Sequence, residues 1–119
     1  GPVLIRQGQV VTPERYAVGE IHDHYPRSAL CQLGKLHYLL AVGNGEGDYQ
    51  QTPTLRRFGE VLQDRGVQTA YTLDGGQTAV IAMDGELINA VLFGYQRKIS
   101  DIIYFATAIP AGQNEETDI

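Results

Sequence analysis

The order of short apolar runs along the chain predicts an α+β fold, mostly antiparallel, with one main helix packed on a sheet face. Three observations carry this. Most of the chain is cut into short apolar or alternating runs bounded by turn residues. One stretch, about 53–65, places its apolar residues at helical spacing. Asp84-Gly85 between two apolar-rich runs is the strongest short hairpin signal, and it implies antiparallel neighbours.

Val3–Ile5 and Gln9–Val11 read as two strands around a turn at Gln7-Gly8. Residues 13–27 read as a polar loop containing His22, His24 and Tyr25. Ser28–Leu33 and Lys35–Val42 form a hairpin around Gly34, and the almost continuously apolar second run predicts a strand central in its sheet. Residues 43–52 are a glycine-rich loop. In the helix that follows, Thr52 suits the N-cap and Pro53 the first turn. Leu55, Phe58 and Leu62 share one face with Gly59, so the helix is expected to approach the sheet closely at Gly59; Gly66 ends it. Val67–Leu73, Thr78–Met83, Glu86–Val91 and Ile102–Ile109 read as further strands, for about eight in all. Residues 1–111 form one domain, and the acidic stretch 112–119 a frayed tail.

The chain has 119 residues, enough for one small domain. A formal net charge of -5 argues against a nucleic-acid-wrapping protein, although Arg56-Arg57 or Arg97-Lys98 can still form a local basic pocket. Cys31 is the single cysteine, so no intrachain disulfide forms, and its apolar setting predicts a buried thiol. No signal-peptide pattern is visible in these residues, and no apolar run reaches the roughly 18 residues that span a membrane. Gly1-Pro2 at the start fits either a piece of a longer chain or a remnant of a tag.

Two segments carry chemistry. The first is Leu73-Asp74-Gly75-Gly76-Gln77-Thr78, an acid at a strand end followed by two glycines. Glycines admit positive φ and close ligand approach, and their N–H groups can line an anion-binding concavity. Asp74 then projects into that space, and Thr78 supplies a hydroxyl; an ordinary tight turn fits the spacing equally. The second segment is Pro26-Arg27-Ser28-Ala29, which offers a planar guanidinium suited to phosphate or simply a solvated surface charge. His22 and His24 are too few for a zinc site. Gly43-x-Gly45-x-Gly47 lacks the Lys-Ser/Thr and strand–helix setting of a nucleotide loop. His37, Tyr38, Tyr71, Tyr104 and Phe105 are expected to pack in strands, whereas Tyr49 and Tyr95, in loops, are candidates to stack on a sugar ring.

Four segments in order resemble the phosphodiester glycosidase family. Pro26-Arg27-Ser28-Ala29 resembles its Pro-Arg-Thr-Ala segment, and Leu73-Asp74-Gly75-Gly76 its Asn-Leu-Asp-Gly-Gly-Gly-Ser signature. Gln96-Arg97-Lys98-Ile99-Ser100-Asp101 is similar to its closing Glu-Arg-x-Val-Ser-Asn/Asp segment, and Gly1-Pro2 to Gly8 to a Gly-Pro strand segment. The resemblance covers roughly residues 1–109, the C-terminal part of the domain. The family's Asn-Gly-Gly-Phe-Phe-type segment is not in this chain. Glu46 stands where the family has Arg, Thr72 for Asn, Gln77 for Gly and Thr78 for Ser.

The resemblance implies a hydrolase cleaving the bond between a sugar's anomeric carbon and a phosphodiester, in exopolysaccharide or other cell-envelope glycans, outside the cell or in its envelope. It implies that Arg27 and Arg97 hold the phosphate and that Asp74 serves as acid/base or nucleophile. Gly75 and Gly76 shape the pocket, Thr78 joins the catalytic set by hydrogen-bonding substrate, and Asp101 helps to bind it. Neither a metal nor a cofactor is expected. A glycosidase usually uses two carboxylates; Glu46, Asp48 and Asp101 are the candidates for the second, unless it lies in an N-terminal segment or second chain that completes the domain. The alternatives are a non-catalytic relative that binds sugar phosphates, and a fragment whose site needs another chain.

Overall fold

The computed structural model of the chain describes residues 1–17, 19–44 and 49–109. Five strands make the main sheet: Val3–Arg6 (β1), Gln9–Val10 (β2), Arg27–Gly34 (β3), His37–Gly43 (β4) and Thr69–Thr72 (β5). Their order is β2-β1-β5-β3-β4, and every neighbouring pair is antiparallel. β4 and β5 therefore run parallel to each other on either side of β3. Strands in that relation need a crossover, and the helix Leu55–Asp64 (α1) supplies it. Ala82–Met83 (β6) and Glu86–Leu87 (β7) form a separate hairpin.

One face of the main sheet is closed by α1. Leu55, Phe58 and Leu62 pack on Leu4, Ile5, Ala29, Cys31 and Ala70, with Ile21 and Val67 completing the core. An irregularity in β1 between Val3 and Ile5 lets Leu4 and Ile5 both be buried, since the extra residue of a bulge re-aims its side chain. Gly59 sits where the expected close approach occurs: a Cβ there would lie 3.1 Å from both Leu4 Cδ1 and Val10 Cγ1. Cys31 is 1% exposed, and burial raises its thiol pKa to about 11. The opposite face holds Leu30, Tyr38, Leu40 and Tyr71, with Tyr38 and Tyr71 about half exposed.

The helix ends follow from local chemistry. Its C-terminus is the Gly66 turn foreseen in the sequence: Gly66 N–H donates to Gln63 O and Val67 N–H to Leu62 O, with Gly66 at φ 84. Its N-cap is Thr54 rather than Thr52, with Thr54 Oγ1 accepting from Arg57 N–H at 3.2 Å. The helix starts later because the carbonyls of Thr52 and Pro53 serve the loop before β3. The Thr52 carbonyl accepts from His24 Nδ1 at 2.6 Å, and the Pro53 carbonyl from Tyr25 N–H at 3.3 Å.

Three other expectations are corrected. β4 is the edge strand, not a central one, and His37 and Tyr38 at its start are exposed. The Asp84-Gly85 hairpin forms with both turn residues at positive φ (51 and 81), as such a turn requires, but its strands are only two residues long. The chain on either side is bound instead by Asn89, whose side chain accepts from Ile81 N–H and donates to Ala79 O. Ile102–Ile109 is not a strand: none of the described residues offers it a ladder, and Tyr104 and Phe105 are 78% and 68% exposed. The tail 112–119, Glu46, Asp48 and the Tyr49 side chain lie outside the described residues.

Gly59→Leu is expected to destabilise the fold by about 1–3 kcal/mol in urea unfolding, because the added side chain must displace Leu4 or Val10.

Candidate active site

The pairing of β3 with β5 brings the two chemical segments side by side. Ala29 pairs with Thr72. Contact then continues past the strand ends, with Leu73 N–H donating to Ser28 O at 2.9 Å and Gly76 N–H to Pro26 O at 3.0 Å. Ser28 Oγ donates to the Asp74 carbonyl. Pro26-Arg27-Ser28 and Asp74-Gly75-Gly76 thus form one wall. Both glycines are needed for it. A Cβ on Gly75 would fall 2.6 Å from Pro26 O, and Gly76 has φ 68 with the Tyr25 ring beside it.

At the end of this wall the Asp74 carboxylate is held from two sides. Oδ1 accepts from Gly75 N–H at 3.0 Å, and Oδ2 from Arg97 Nη2 at 2.6 Å. Partial burial pushes the carboxyl pKa up, but the hydrogen bonds from Arg97, Gly75 and Thr78 and the charge of Arg97 outweigh it and hold the group below its ordinary value. Asp74 is therefore a carboxylate at neutral pH. It can accept a proton, attack, or stabilise positive charge, but it carries no proton to donate.

Arg27 is 8% exposed. Its Nη2 donates to Glu20 O at 2.7 Å and Asp23 O at 2.6 Å, its Nε to Pro53 O at 3.5 Å, and its guanidinium lies 6.0 Å from the Tyr25 ring centroid. Burial lowers its pKa, and the carboxylates of Glu20 and Asp23 oppose that effect. Arg27 thus ties the loop 19–25 to β3 and to the chain before α1. His22 adds to the same loop, with Nε2 donating to Glu14 O at 2.8 Å.

The Pro26-Arg27 and Asp74-Gly75-Gly76 segments line a cleft of about 450 Å³, within the range of small-molecule sites. Of the residues singled out in the sequence, Arg27, Asp74, Gly75, Gly76 and Arg97 line it. Thr78 stands behind it, with Oγ1 donating to Gly75 O at 2.8 Å, so that it braces the turn. Asp101 does not line the cleft; its Oδ1 accepts from Ser100 Oγ at 3.3 Å. Tyr95 is absent from the lining too, and its carbonyl accepts from Gln77 Nε2 at 3.0 Å. Among the lining residues not singled out for this role are Tyr16, Glu20 and Phe93. Glu20 is a second carboxylate, brought in by a short 3₁₀ turn at Gly19–His22 inside what reads as plain loop. Thr72 Oγ1, also in the cleft wall, is buried without a hydrogen-bond partner.

Two measurements check this geometry. Arg27→Ala removes the guanidinium that bridges the Glu20, Asp23 and Pro53 carbonyls and is expected to lower stability by about 2–3 kcal/mol. In a carboxyl NMR titration, Arg97→Gln is expected to move the Asp74 midpoint upward. The native carboxyl titrates below its unfolded value, so the stabilisation from the pair is present above about pH 4 and is lost as pH falls through the folded midpoint.

The phosphodiester glycosidase family model matches residues 1–106. Among solved structures, a hypothetical protein from Synechocystis is similar, with a TM-score of 0.66 and 28% identity over 80% of this chain. The match covers 18% of that protein, so the chain spans under a fifth of its length. No curated protein matches. With its Asp-Gly-Gly turn set against the Pro-Arg segment over a cleft, the chain belongs to the phosphodiester glycosidase family.

Proposed function

We propose that the cleft cleaves sugar 1-phosphodiesters, breaking the bond between the anomeric carbon and the phosphate oxygen. The observation that carries this reading is the Asp74–Arg97 contact of 2.6 Å at the rim of the cleft, an anion and a cation held together beside the Gly75-Gly76 turn. The reaction needs both signs of charge. Positive charge grows at the anomeric carbon as the bond breaks, and a carboxylate beside it lowers that barrier. Negative charge leaves with the phosphate, and a guanidinium with free N–H groups suits its planar pairs of oxygens. The electron pair of the breaking C–O bond departs on phosphate, whose acidity lets it leave without first taking a proton. This fits an Asp74 that is ionised rather than protonated. Water supplies the oxygen that replaces phosphate, and Glu20 is the carboxylate in the cleft suited to take its proton.

Arg27 supports the same site in two ways. It presents positive charge to the cleft and fixes the loop that carries Glu20 and Tyr25. The polymers this chemistry suits are exopolysaccharides and cell-envelope glycans with sugar phosphodiester links, and in this reading the protein acts outside the cell or in its envelope. Among the described residues no helix is long and apolar enough to cross a membrane.

A second reading rests on exposed apolar surface. Tyr38, Tyr71, Ile102, Tyr104 and Phe105 stand between 48% and 78% exposed. Apolar area on this scale is commonly covered by a partner. In this reading an N-terminal segment or second chain lies over the sheet and completes the site, and the isolated chain binds sugar phosphates without turning them over.

Release of free reducing sugar, together with the phosphate monoester of the second alcohol, from a sugar 1-phosphodiester is the decisive assay. Asp74→Asn is expected to reduce kcat by about 10²–10⁴ and Glu20→Gln by about 10²-fold, with the fold retained by circular dichroism. Full turnover in Asp74→Asn would end the catalytic assignment. Saturable binding by the wild-type chain with no product selects the second reading.

A further inference from the structure

The stretch after Leu92 delivers the cation of the site from an exposed, irregular piece of chain. Leu92 is buried, whereas residues 93–101 are exposed. The chain turns over Phe93 and Gly94, both left-handed at φ 62 and φ 78, and Gly94 N–H donates to Val91 O at 2.9 Å. Beyond that turn there is no helix or strand among the described residues. Among the described residues, two hydrogen bonds tie the stretch 95–101 to the rest of the chain. Gln77 Nε2 donates to Tyr95 O at 3.0 Å, and Arg97 Nη2 donates to Asp74 Oδ2 at 2.6 Å.

Both bonds reach back to the same short turn, since Gly75-Gly76 separates Asp74 from Gln77. That turn is itself fixed. Gly76 N–H donates to Pro26 O at 3.0 Å, and Ala79 N–H donates to Gly76 O at 3.2 Å, closing the 3₁₀ turn Gly76–Thr78. Gln77 therefore stands on a braced base beside the carboxylate, half-buried in the cleft wall. An exposed ion pair is weak partly because two long side chains must be ordered to make it. A bond to the backbone close to Arg97 orders that segment beforehand, so less freedom is lost when the guanidinium meets an anion.

We infer that Gln77 is a positioning residue for the cleft: through the Tyr95 carbonyl it holds Arg97 where its guanidinium meets Asp74 and takes the phosphate of a sugar 1-phosphate. The phosphate half of this role rests on the sugar-phosphate reading of the cleft; the Asp74 half does not. An amide suits the task, because it donates to a carbonyl without bringing a charge that would compete with Arg97 or Asp74. A guanidinium has several N–H donors, so Arg97 can keep Asp74 and still meet a phosphate.

The test is Gln77→Met, which nearly keeps the volume and removes the donor. Two quantities are read: the Asp74 midpoint in a carboxyl NMR titration, and the affinity for glucose 1-phosphate by calorimetry. Partial burial raises the Asp74 carboxyl, and the hydrogen bond and charge of Arg97 help to hold it low. Gln77→Met is therefore expected to move the midpoint upward, in the direction given by Arg97→Gln. It should weaken glucose 1-phosphate binding by about three- to tenfold, the effect of one hydrogen bond. In the Arg97→Gln background Gln77→Met should change neither quantity further, because its effect passes through Arg97. Glu20 and Arg27, the other charged side chains lining the cleft, are the same in every variant. Gln77→Ala, which adds no apolar surface, should repeat both changes. An unmoved midpoint in both Gln77 variants overturns the inference, as do shifts that persist in full once Arg97 is replaced. Glucose 1-phosphate affinity equal to wild type in both variants also overturns it and leaves the sugar-phosphate reading standing. If the wild-type chain binds no glucose 1-phosphate while the midpoint moves and the Arg97→Gln background cancels the shift, the tether stands and the sugar-phosphate reading falls.

Discussion

The ladder between β3 and β5 pairs Ala29 with Thr72 and Gln32 with Thr69, and the cleft inherits its geometry from that register. Side chains alternate between faces along a strand, so a slip of β3 by one residue would turn Arg27 away from the helix side and bring Ser28 toward it. The core would lose Ala29 and Cys31 in the same step. Packing on α1 thus enforces a register that also serves the site. The hydrogen bonds past the strand ends, from Leu73 and Gly76 back to Ser28 and Pro26, carry that register into the Asp74 turn.

Charge in the cleft is organised by backbone as much as by side chains. Arg27 is buried against carbonyl oxygens, which suit a guanidinium because each presents partial negative charge without a competing full anion. Asp74 is met by the Gly75 N–H, the Thr78 hydroxyl and one cation. The two arginines consequently do different work: one is locked into the loop before β3, and the other sits at the more exposed rim, beside the carboxylate. An exposed ion pair of this kind adds little to stability and weakens with salt, so its placement matters more to the cleft than to the fold.

The fold was legible where local chemistry and tertiary packing agree. Gly66 ends the helix, Gln7-Gly8 and Asp84-Gly85 turn their hairpins, and Gly59 lets the helix close on Leu4. Each is a demand that the residue meets with its own backbone. The sequence misled where apolar character was taken for a place in the sheet. β4 reads as a buried strand yet lies at the edge, and Ile102–Ile109 reads as a strand yet finds no partner among the described residues. Strand formation depends on a neighbour that a single run cannot specify. At the site, Asp74, Gly75, Gly76 and Arg27 were legible because an acid or a fork beside glycine and proline is an unusual local pattern. Glu20 and Phe93 were not, because one enters through a short turn in a polar loop and the other through a backbone conformation that its side chain does not announce.

Cys31 gives the molecule a built-in reporter. It sits in β3 between Leu39 of β4 and Ala70 of β5, 1% exposed, with a thiol pKa raised to about 11. A reagent that needs the thiolate meets almost none of it while the sheet is intact, and there is no second cysteine to confuse the signal. The rate at which this thiol is modified therefore counts openings of the same ladder that positions Asp74. Slowing of that rate by a bound sugar phosphate would register occupancy of the cleft from the far side of the wall, without any label at the site itself.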